Sequence, residues 1–152
     1  MELKTQVVAE EGKQDLRIHR VFDLPLELLF LAFTEAPLLE QWMGTKVIKL
    51  ENKPHGSWAF ETIDPKGNRY GFNGVIHSFI PEKEIIRTFE MEGMLMGVQL
   101  EFLYFEALSD TTSQLTMHTI YKSVEERDKV VQRGMVKGIN MAHDRLQKVL
   151  QQ

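Results

Sequence analysis

Arg87 is the charged residue whose neighbours in the sequence are most informative. It lies between Ile85 and Phe89 on an otherwise apolar face of a predicted strand. An arginine directed into a protein interior is costly unless a partner offsets its charge. We therefore expect Arg87 to meet a carboxylate, Glu61 or Glu101, or the acidic head group of a ligand. The alternative is a bulge that turns the side chain to solvent.

The sequence shows no recognisable motif for catalysis or for metal binding. The chain has no cysteine, which excludes disulfides, thiolate metal sites and a cysteine nucleophile. The histidines are His19, His55, His77, His118 and His143. They form neither HxxxH nor HExxH spacing, and we expect each to face solvent or to make a single hydrogen bond. The sequence predicts no metal site, no cofactor and no catalytic residue.

The composition is that of a mildly acidic globular protein. Of 152 residues, 43% are hydrophobic and 26% are charged, and the formal net charge is −4. A general nucleic-acid binder needs a basic surface, so we expect no nucleic-acid partner. The sequence shows neither a signal peptide nor a run of ~20 apolar residues that would span a membrane. We expect a single domain over residues 1–152 and a cytoplasmic location.

Hydrophobic periodicity predicts the elements that must position Arg87 and its neighbours. Predicted strands cover residues 3–9, 16–22, 46–51, 57–63, 68–79, 84–91, 98–108 and 113–122, and predicted short helices cover 25–34 and 37–43. Short turns between the strands favour an antiparallel meander. Ser123 and Glu126 have the form of a capping box, which begins a helix that continues to the C-terminus.

These elements predict an α+β helix-grip fold. We expect a curved antiparallel sheet of about six or seven strands to wrap around the long C-terminal helix, with two short helices after the first strand. Gly134 and Gly138 lie one turn apart in the long helix. We expect them to mark a bend or a close contact with the sheet, or else to leave room for a ligand.

Several segments resemble one known family. They are RVFDLPLELLFLAFTE from Arg20 to Glu35, LEQW at 39–42, PHGSWAF at 54–60, DPKGN at 64–68 and GMVKG at 134–138. In order and spacing they resemble the family named after the activator of the ninety-kilodalton heat-shock chaperone's ATPase, within the SRPBCC or START-like superfamily. The resemblance implies the helix-grip fold of the birch-pollen allergen, with an internal hydrophobic cavity.

Strand alternation predicts which side chains face that cavity. We assign to the concave face Trp58 and Phe60, then Val98, Leu100, Phe102 and Tyr104, then Leu115, Met117, Thr119 and Tyr121. With this assignment Glu101 points outward. The candidate cavity residues are Trp58, Phe60, Tyr70, Phe72, Arg87, Phe102, Tyr104, Met117, Tyr121, Met135 and Ile139. Each of them is equally explained as ordinary core, because a cavity wall is also core.

The predicted function is the binding of a small hydrophobic or amphipathic molecule, with Arg87 and Tyr121 as its polar contacts. We expect a monomer or a homodimer. Two alternatives stay open. The resemblance implies a co-chaperone-like module that contacts a heat-shock chaperone and stimulates its ATPase. The fold also hosts enzymes of the cyclase or hydratase type, for which Arg87, Tyr121 and Glu101 are the available candidates.

Overall fold

A computed structural model describes residues 3–93 and 97–151, which form one eight-stranded sheet and four helices. In chain order the elements are β1 (Gln6–Val8), β2 (Asp15–Phe22), α1 (Leu26–Thr34), α2 (Ala36–Met43), β3 (Lys46–Leu50), β4 (Ser57–Ile63), β5 (Arg69–Ile80), β6 (Glu84–Met91), β7 (Val98–Ala107), β8 (Ser113–Ile120), α3 (Val124–Gln132) and α4 (Met135–Leu150). The sheet order is β1-β2-β8-β7-β6-β5-β4-β3, and every neighbouring pair is antiparallel.

The predicted helix-grip fold is confirmed. The sheet curves around the helices, and breaks in strand register at Val47/Lys49 and Ile76/Ser78 add to the bending of its strands. There are eight strands because the short β1 and β3 both pair at the sheet edges. The two short helices follow the hairpin of β1 and β2, so they enter the fold one strand later than we expected.

The two short helices cover one end of the inner sheet face. The Pro25 and Glu35 backbones begin them in an extended conformation, and Gly44 ends α2 with a positive φ of 64°. The indole Nε1 of Trp42 donates a hydrogen bond of 2.7 Å to the carbonyl oxygen of Ala32, which ties α2 to α1. The apolar residues of both helices thereby join the core cluster.

The C-terminal helix is divided into two segments. Ser123 caps α3 by accepting a 3.1 Å hydrogen bond from the backbone N–H of Glu126, as the sequence predicted, whereas the Glu126 carboxylate contacts Lys129 at 3.4 Å rather than completing a capping box. Gly134 has φ +85°, a conformation that L side chains rarely adopt, and it separates α3 from α4. The C-terminal half of α4 is buried on the inner face of the sheet through Leu146 and Leu150.

The inner and outer faces of β7 are the reverse of our prediction. Leu103 and Phe105 are buried, whereas Phe102 is half-buried and Tyr104 is exposed. Leu103 pairs directly with Met117 of β8, and side chains opposite each other in an antiparallel pair lie on the same face. Both faces of β7 carry apolar side chains, so alternation alone did not identify the inner one.

Candidate functional site

A pocket of ≈ 190 Å³ lies between the short helices, the inner face of β6 to β8, and α4. Its lining residues are Phe33, Leu39, Trp42, Met43, Arg87, Phe89, Glu101, Met117, Ile139, Ala142 and His143. The wall is therefore apolar except for three groups: an arginine and a glutamate on the sheet and a histidine on the helix. The curvature of the sheet leaves this space, since a straight helix cannot contact a curved sheet along its whole length.

Arg87 and Glu101 form an ion pair on the sheet side of the pocket. They face each other across β6 and β7, and Arg87 Nε donates to Glu101 Oε1 over 3.0 Å. The guanidinium carbon also lies 4.8 Å from the centre of the Trp58 ring, a cation–π distance. The amide Nε2 of Gln99 donates to the other carboxylate oxygen of Glu101 over 3.4 Å.

One of the two carboxylates proposed for Arg87 is thus its partner. Glu61, the other, pairs instead with Arg69 at the surface, at 2.7 Å. The prediction that Glu101 points outward is wrong, because it followed from the reversed assignment of the β7 faces. Glu101 is 6% exposed.

His143 lies on the helix side of the pocket and is 2% exposed. Its Nδ1 is 2.8 Å from the hydroxyl oxygen of Thr5, which also accepts a 3.3 Å hydrogen bond from Arg20. Arg20 pairs at 2.9 Å with Asp144, whose side chain is largely exposed. Burial, followed by the positive charge of Arg20, lowers the pKa of His143 to about 4. The imidazole is therefore neutral at physiological pH.

His143 is the one histidine among the pocket residues that the sequence interpretation missed. We expected every histidine to face solvent or to make a single hydrogen bond. His143 makes one hydrogen bond, to Thr5, but it is also buried in the pocket wall, a place that the sequence interpretation did not assign to it. The sequence spacing could have predicted its burial, because His143 follows Ile139 by four positions and precedes Leu146 by three. Such spacing places all three on one face of a helix.

The structure brings only some of the predicted cavity residues to the pocket. Arg87, Met117 and Ile139 line it. Trp58 and Phe60 are buried in the adjoining core, and Phe72 packs against that core. These residues therefore lie on the inner side of the sheet.

Tyr121, predicted as a polar contact of the ligand, lies on the same inner side but is not among the residues that line the pocket. It is buried, and burial, together with the charge of Glu101, raises the pKa of its phenol. The phenol is therefore protonated at neutral pH.

The remaining predicted residues lie away from the pocket. Tyr70 is at the surface, where its hydroxyl donates to Asp64 over 3.2 Å. Phe102 and Tyr104 lie on the outer face, where their rings stack with centroids 6.3 Å apart. Met135 begins α4 and is half-buried, and the pocket lining does not include it.

The two glycines of the terminal helix have different roles. Gly134 lies at the break between α3 and α4, which agrees with the predicted bend in the long helix. Gly138 lies within α4, and a Cβ built on it would meet no atom within 4 Å among the described residues. Gly138 is therefore not a close contact with the sheet.

The described residues contain neither a cluster of metal-binding side chains nor a membrane-spanning helix. Over 3–93 and 97–151, no three His, Asp or Glu side chains are grouped so that they could hold a metal ion. No helix within the same ranges is long and apolar enough to cross a membrane. A wider depression of ≈ 490 Å³ between α2 and β3 is an open surface groove bordered by Glu40, Lys46 and Glu61.

Solved structures of several bacterial proteins have the same fold. A crystal structure from Rhodobacter sphaeroides superimposes with a TM-score of 0.86 at 22% identity, over 97% of this chain and 98% of that one. A solution NMR structure from Arthrobacter aurescens gives 0.87 at 17% identity, over 96% and 91% of the two chains. A crystal structure from Mycobacterium smegmatis gives 0.85 at 18% identity, over 95% of both. Identities this low establish the fold alone.

Sequence comparison identifies the family. No curated protein matches the chain. The family described as "Activator of Hsp90 ATPase homolog 1-like protein" matches residues 23–151, which is most of the sequence, and its fold is the SRPBCC-like fold of the structural neighbours. The chain therefore belongs to the Activator of Hsp90 ATPase homolog 1-like family.

Proposed function

We propose that the protein binds a small amphipathic molecule in the pocket between α4 and the inner sheet face. The observation that carries this proposal is the composition of the pocket wall. Eight of its eleven lining residues are apolar, and Arg87, Glu101 and His143 supply polar groups from two sides. Small-molecule sites in proteins combine such an apolar wall with a few polar groups that orient the ligand.

The volume of the pocket limits the size of the ligand. A dry cavity of about 150 Å³ accommodates benzene, whereas sites for drug-sized ligands range over about 300–1,000 Å³. At ≈ 190 Å³ this pocket suits a molecule built on a single ring or a short branched chain. Larger ligands would require the helices to move away from the sheet.

The apolar wall supplies most of the binding free energy. A single-ring molecule that buries roughly 200 Å² of apolar surface gains about 5 kcal/mol at 25 cal/mol per Å². That free energy corresponds to a Kd on the order of 0.1–1 mM. Polar contacts with Arg87 or His143 would tighten binding and fix the orientation of the ligand.

We favour binding over catalysis because the acidic group of the pocket is already engaged. Glu101 accepts hydrogen bonds from Arg87 and Gln99, one on each carboxylate oxygen. A general base needs a free oxygen within hydrogen-bond reach of the substrate proton.

Thermal unfolding with single-ring probes tests the proposal. Acetophenone at 5 mM is expected to raise the Tm by about 2–9 °C, since a native-state ligand at about five to fifty times its Kd stabilises by roughly 1–2.3 kcal/mol. Ala142→Phe, which places a ring in the pocket, is expected to abolish the shift. Met141→Phe is the matched control, because Met141 is 55% exposed on the same helix.

Two results would contradict the proposal. One is a Tm that stays constant for every single-ring probe. The other is a shift that persists in Ala142→Phe, which would locate the binding outside the pocket. Amide chemical shifts of residues around the pocket provide a second measurement of where the probe binds, should Ala142→Phe itself be unstable.

A further inference from the structure

We infer that the pocket selects a neutral, ring-sized molecule bearing a carbonyl or hydroxyl oxygen, and that His143 binds this oxygen. The inference deepens the proposed function and rests on it. His143 combines nine-tenths burial, a position in the pocket wall and one ring nitrogen without a hydrogen-bond partner among the described residues.

The hydrogen bonds around Thr5 favour one tautomer of the neutral His143 ring. Arg20 can only donate, so the Thr5 oxygen accepts from it. A hydroxyl oxygen can accept two hydrogen bonds, but the acceptor nearest to the Thr5 hydroxyl among the described residues is Nδ1 of His143, at 2.8 Å, and we assign the hydroxyl proton to that contact. A neutral imidazole that accepts at Nδ1 carries its proton on Nε2. His143 is therefore an Nε2–H donor.

The position of the ring leaves this donor for the pocket. Nδ1 is directed at Thr5 on the β1 side, so the edge formed by Nε2 and Cδ2 faces away from β1. The ring of Phe22 packs against the imidazole in an edge-on arrangement at 5.6 Å, which holds its orientation. Since His143 lines the pocket, an Nε2–H at this edge is placed to donate to a bound ligand.

Arg87 adds further donors from the opposite side. Its Nε is engaged by Glu101, while Nη1 and Nη2 have no hydrogen-bond partner within residues 3–93 and 97–151. Donors from the sheet and from α4 thus converge on the same space. Donors on both sides require a ligand that accepts hydrogen bonds.

The charges around the pocket favour a neutral ligand over an anion. Arg87 is offset by Glu101, and Arg20 behind His143 is offset by Asp144. His143 itself is neutral, so the two ion pairs leave no surplus positive charge. A carboxylate entering this pocket would bring a negative charge that nothing offsets, which is costly in an apolar site. A carbonyl or hydroxyl oxygen accepts the same hydrogen bonds without that cost.

Three probes of equal heavy-atom count separate the contributions to binding. Acetophenone carries a carbonyl, α-methylstyrene replaces that oxygen with a methylene group, and benzoate carries a charged carboxylate. By NMR titration at pH 7 we expect acetophenone to bind about tenfold more tightly than α-methylstyrene, the gain from one to two hydrogen bonds. We expect benzoate to bind at least tenfold more weakly than acetophenone.

Two substitutions of His143 distinguish a ligand contact from a structural role. His143→Gln places an amide N–H near the position of Nε2 but loses the contact with Thr5. His143→Asn keeps a polar atom near Nδ1 but loses the donor to the pocket. We expect the Gln variant to retain the tenfold preference for acetophenone over α-methylstyrene, and the Asn variant to reduce it to about threefold.

A merely structural histidine would give the reverse pattern. The Asn variant would then keep the preference, and this result would overturn the inference. Thr5→Val is a milder variant that removes the hydroxyl group between Arg20 and His143 and keeps the imidazole, and it too is expected to weaken the preference. Should both His143 variants fail to fold, an unchanged preference in Thr5→Val would overturn the inference.

The wild-type titration separates failure of the inference from failure of the proposed function. Equal affinity for acetophenone and α-methylstyrene, or tightest binding of benzoate, would overturn the inference and leave a binding pocket in place. No binding of any of the three probes would overturn the proposed function, and the inference with it.

Discussion

The two faces of the sheet carry similar aromatic residues, but those on the inner face are buried against helices and those on the outer face are partly exposed. On the inner face, Phe105 packs against Phe30 and Phe33 with ring centroids 5.0 and 5.4 Å apart. On the outer face, Phe102 stacks with Tyr104 and with His118 at 5.8 Å, and these rings remain partly exposed. The two faces of β7 therefore do not differ in residue type. They differ because the helices cover the inner face and leave the outer face open.

The ionisable groups show the same contrast. Glu101 and His143 are buried beside the pocket, where each is surrounded by a small set of partners. On the outer face, His118 contacts Asp15 at 2.7 Å with both side chains partly exposed, and this hydrogen bond lowers the pKa of Asp15. Solvent screens the outer pair, whereas the inner groups depend on their protein partners.

The largest expected difference between the faces is in core packing. Phe105→Ala removes a buried ring that contacts two helical phenylalanines, and we expect it to lower the free energy of unfolding by about 3–5 kcal/mol. Phe102→Ala is the matched control on the same strand, with an expected loss of about 1 kcal/mol or less. Urea denaturation measures both values. Similar losses for the two variants would contradict the face assignment of β7.

Acid is expected to destabilise the inner face through His143. Its pKa of about 4 in the folded protein lies below the value of 6.5 in the unfolded chain, so the unfolded state binds more protons between those pH values. The contribution of His143 to the free energy of unfolding is therefore fully present above pH 6.5. It is lost as the pH falls toward 4, and the loss amounts to at most about 3 kcal/mol. The charged groups that act on it are Arg20, which lowers its pKa, and Asp144, which raises it.

Comparison of two histidine variants isolates this contribution. Unfolding measured from pH 7 to pH 4 is expected to show a shallower loss of stability in His143→Asn than in the wild type. His118→Asn, on the outer face, is the control and is expected to leave the contribution of His143 intact. An equal slope for His143→Asn and the wild type would show that the buried imidazole does not cause the acid sensitivity.

The smallest effects concern the helix that covers the inner face. Gly138 is in the interior of α4 with open space around its Cα, so Gly138→Ala is expected to stabilise the protein by about 0.5–1 kcal/mol. Gly134→Ala, four positions earlier, is expected to destabilise it by about 1 kcal/mol, because an L side chain is strained at φ +85°. Thermal unfolding of both variants checks the opposite signs, and two changes of the same sign would contradict the helix break at Gly134.

Much of the fold was predictable because local patterns specify it. Alternation in β4 and β8 correctly placed Trp58 and Met117 on the inner face, and the Ser123 cap marked the start of the terminal helix. The site was less predictable. Arg87 was recognised as an inward-facing cation, but its choice between Glu61 and Glu101 depended on which strands pair and in what register.

The sequence by itself determined which residues form strands and helices, and which residues within a strand share a face. These properties follow from periodicity and capping over a few neighbouring residues. Only the tertiary structure decided which face of β7 is inside, because a shift of one residue in register exchanges the faces. It also buried His143 beside Thr5, a residue 138 positions away in the chain. Contacts between such distant segments depend on the packing of helix against sheet, which no local pattern encodes.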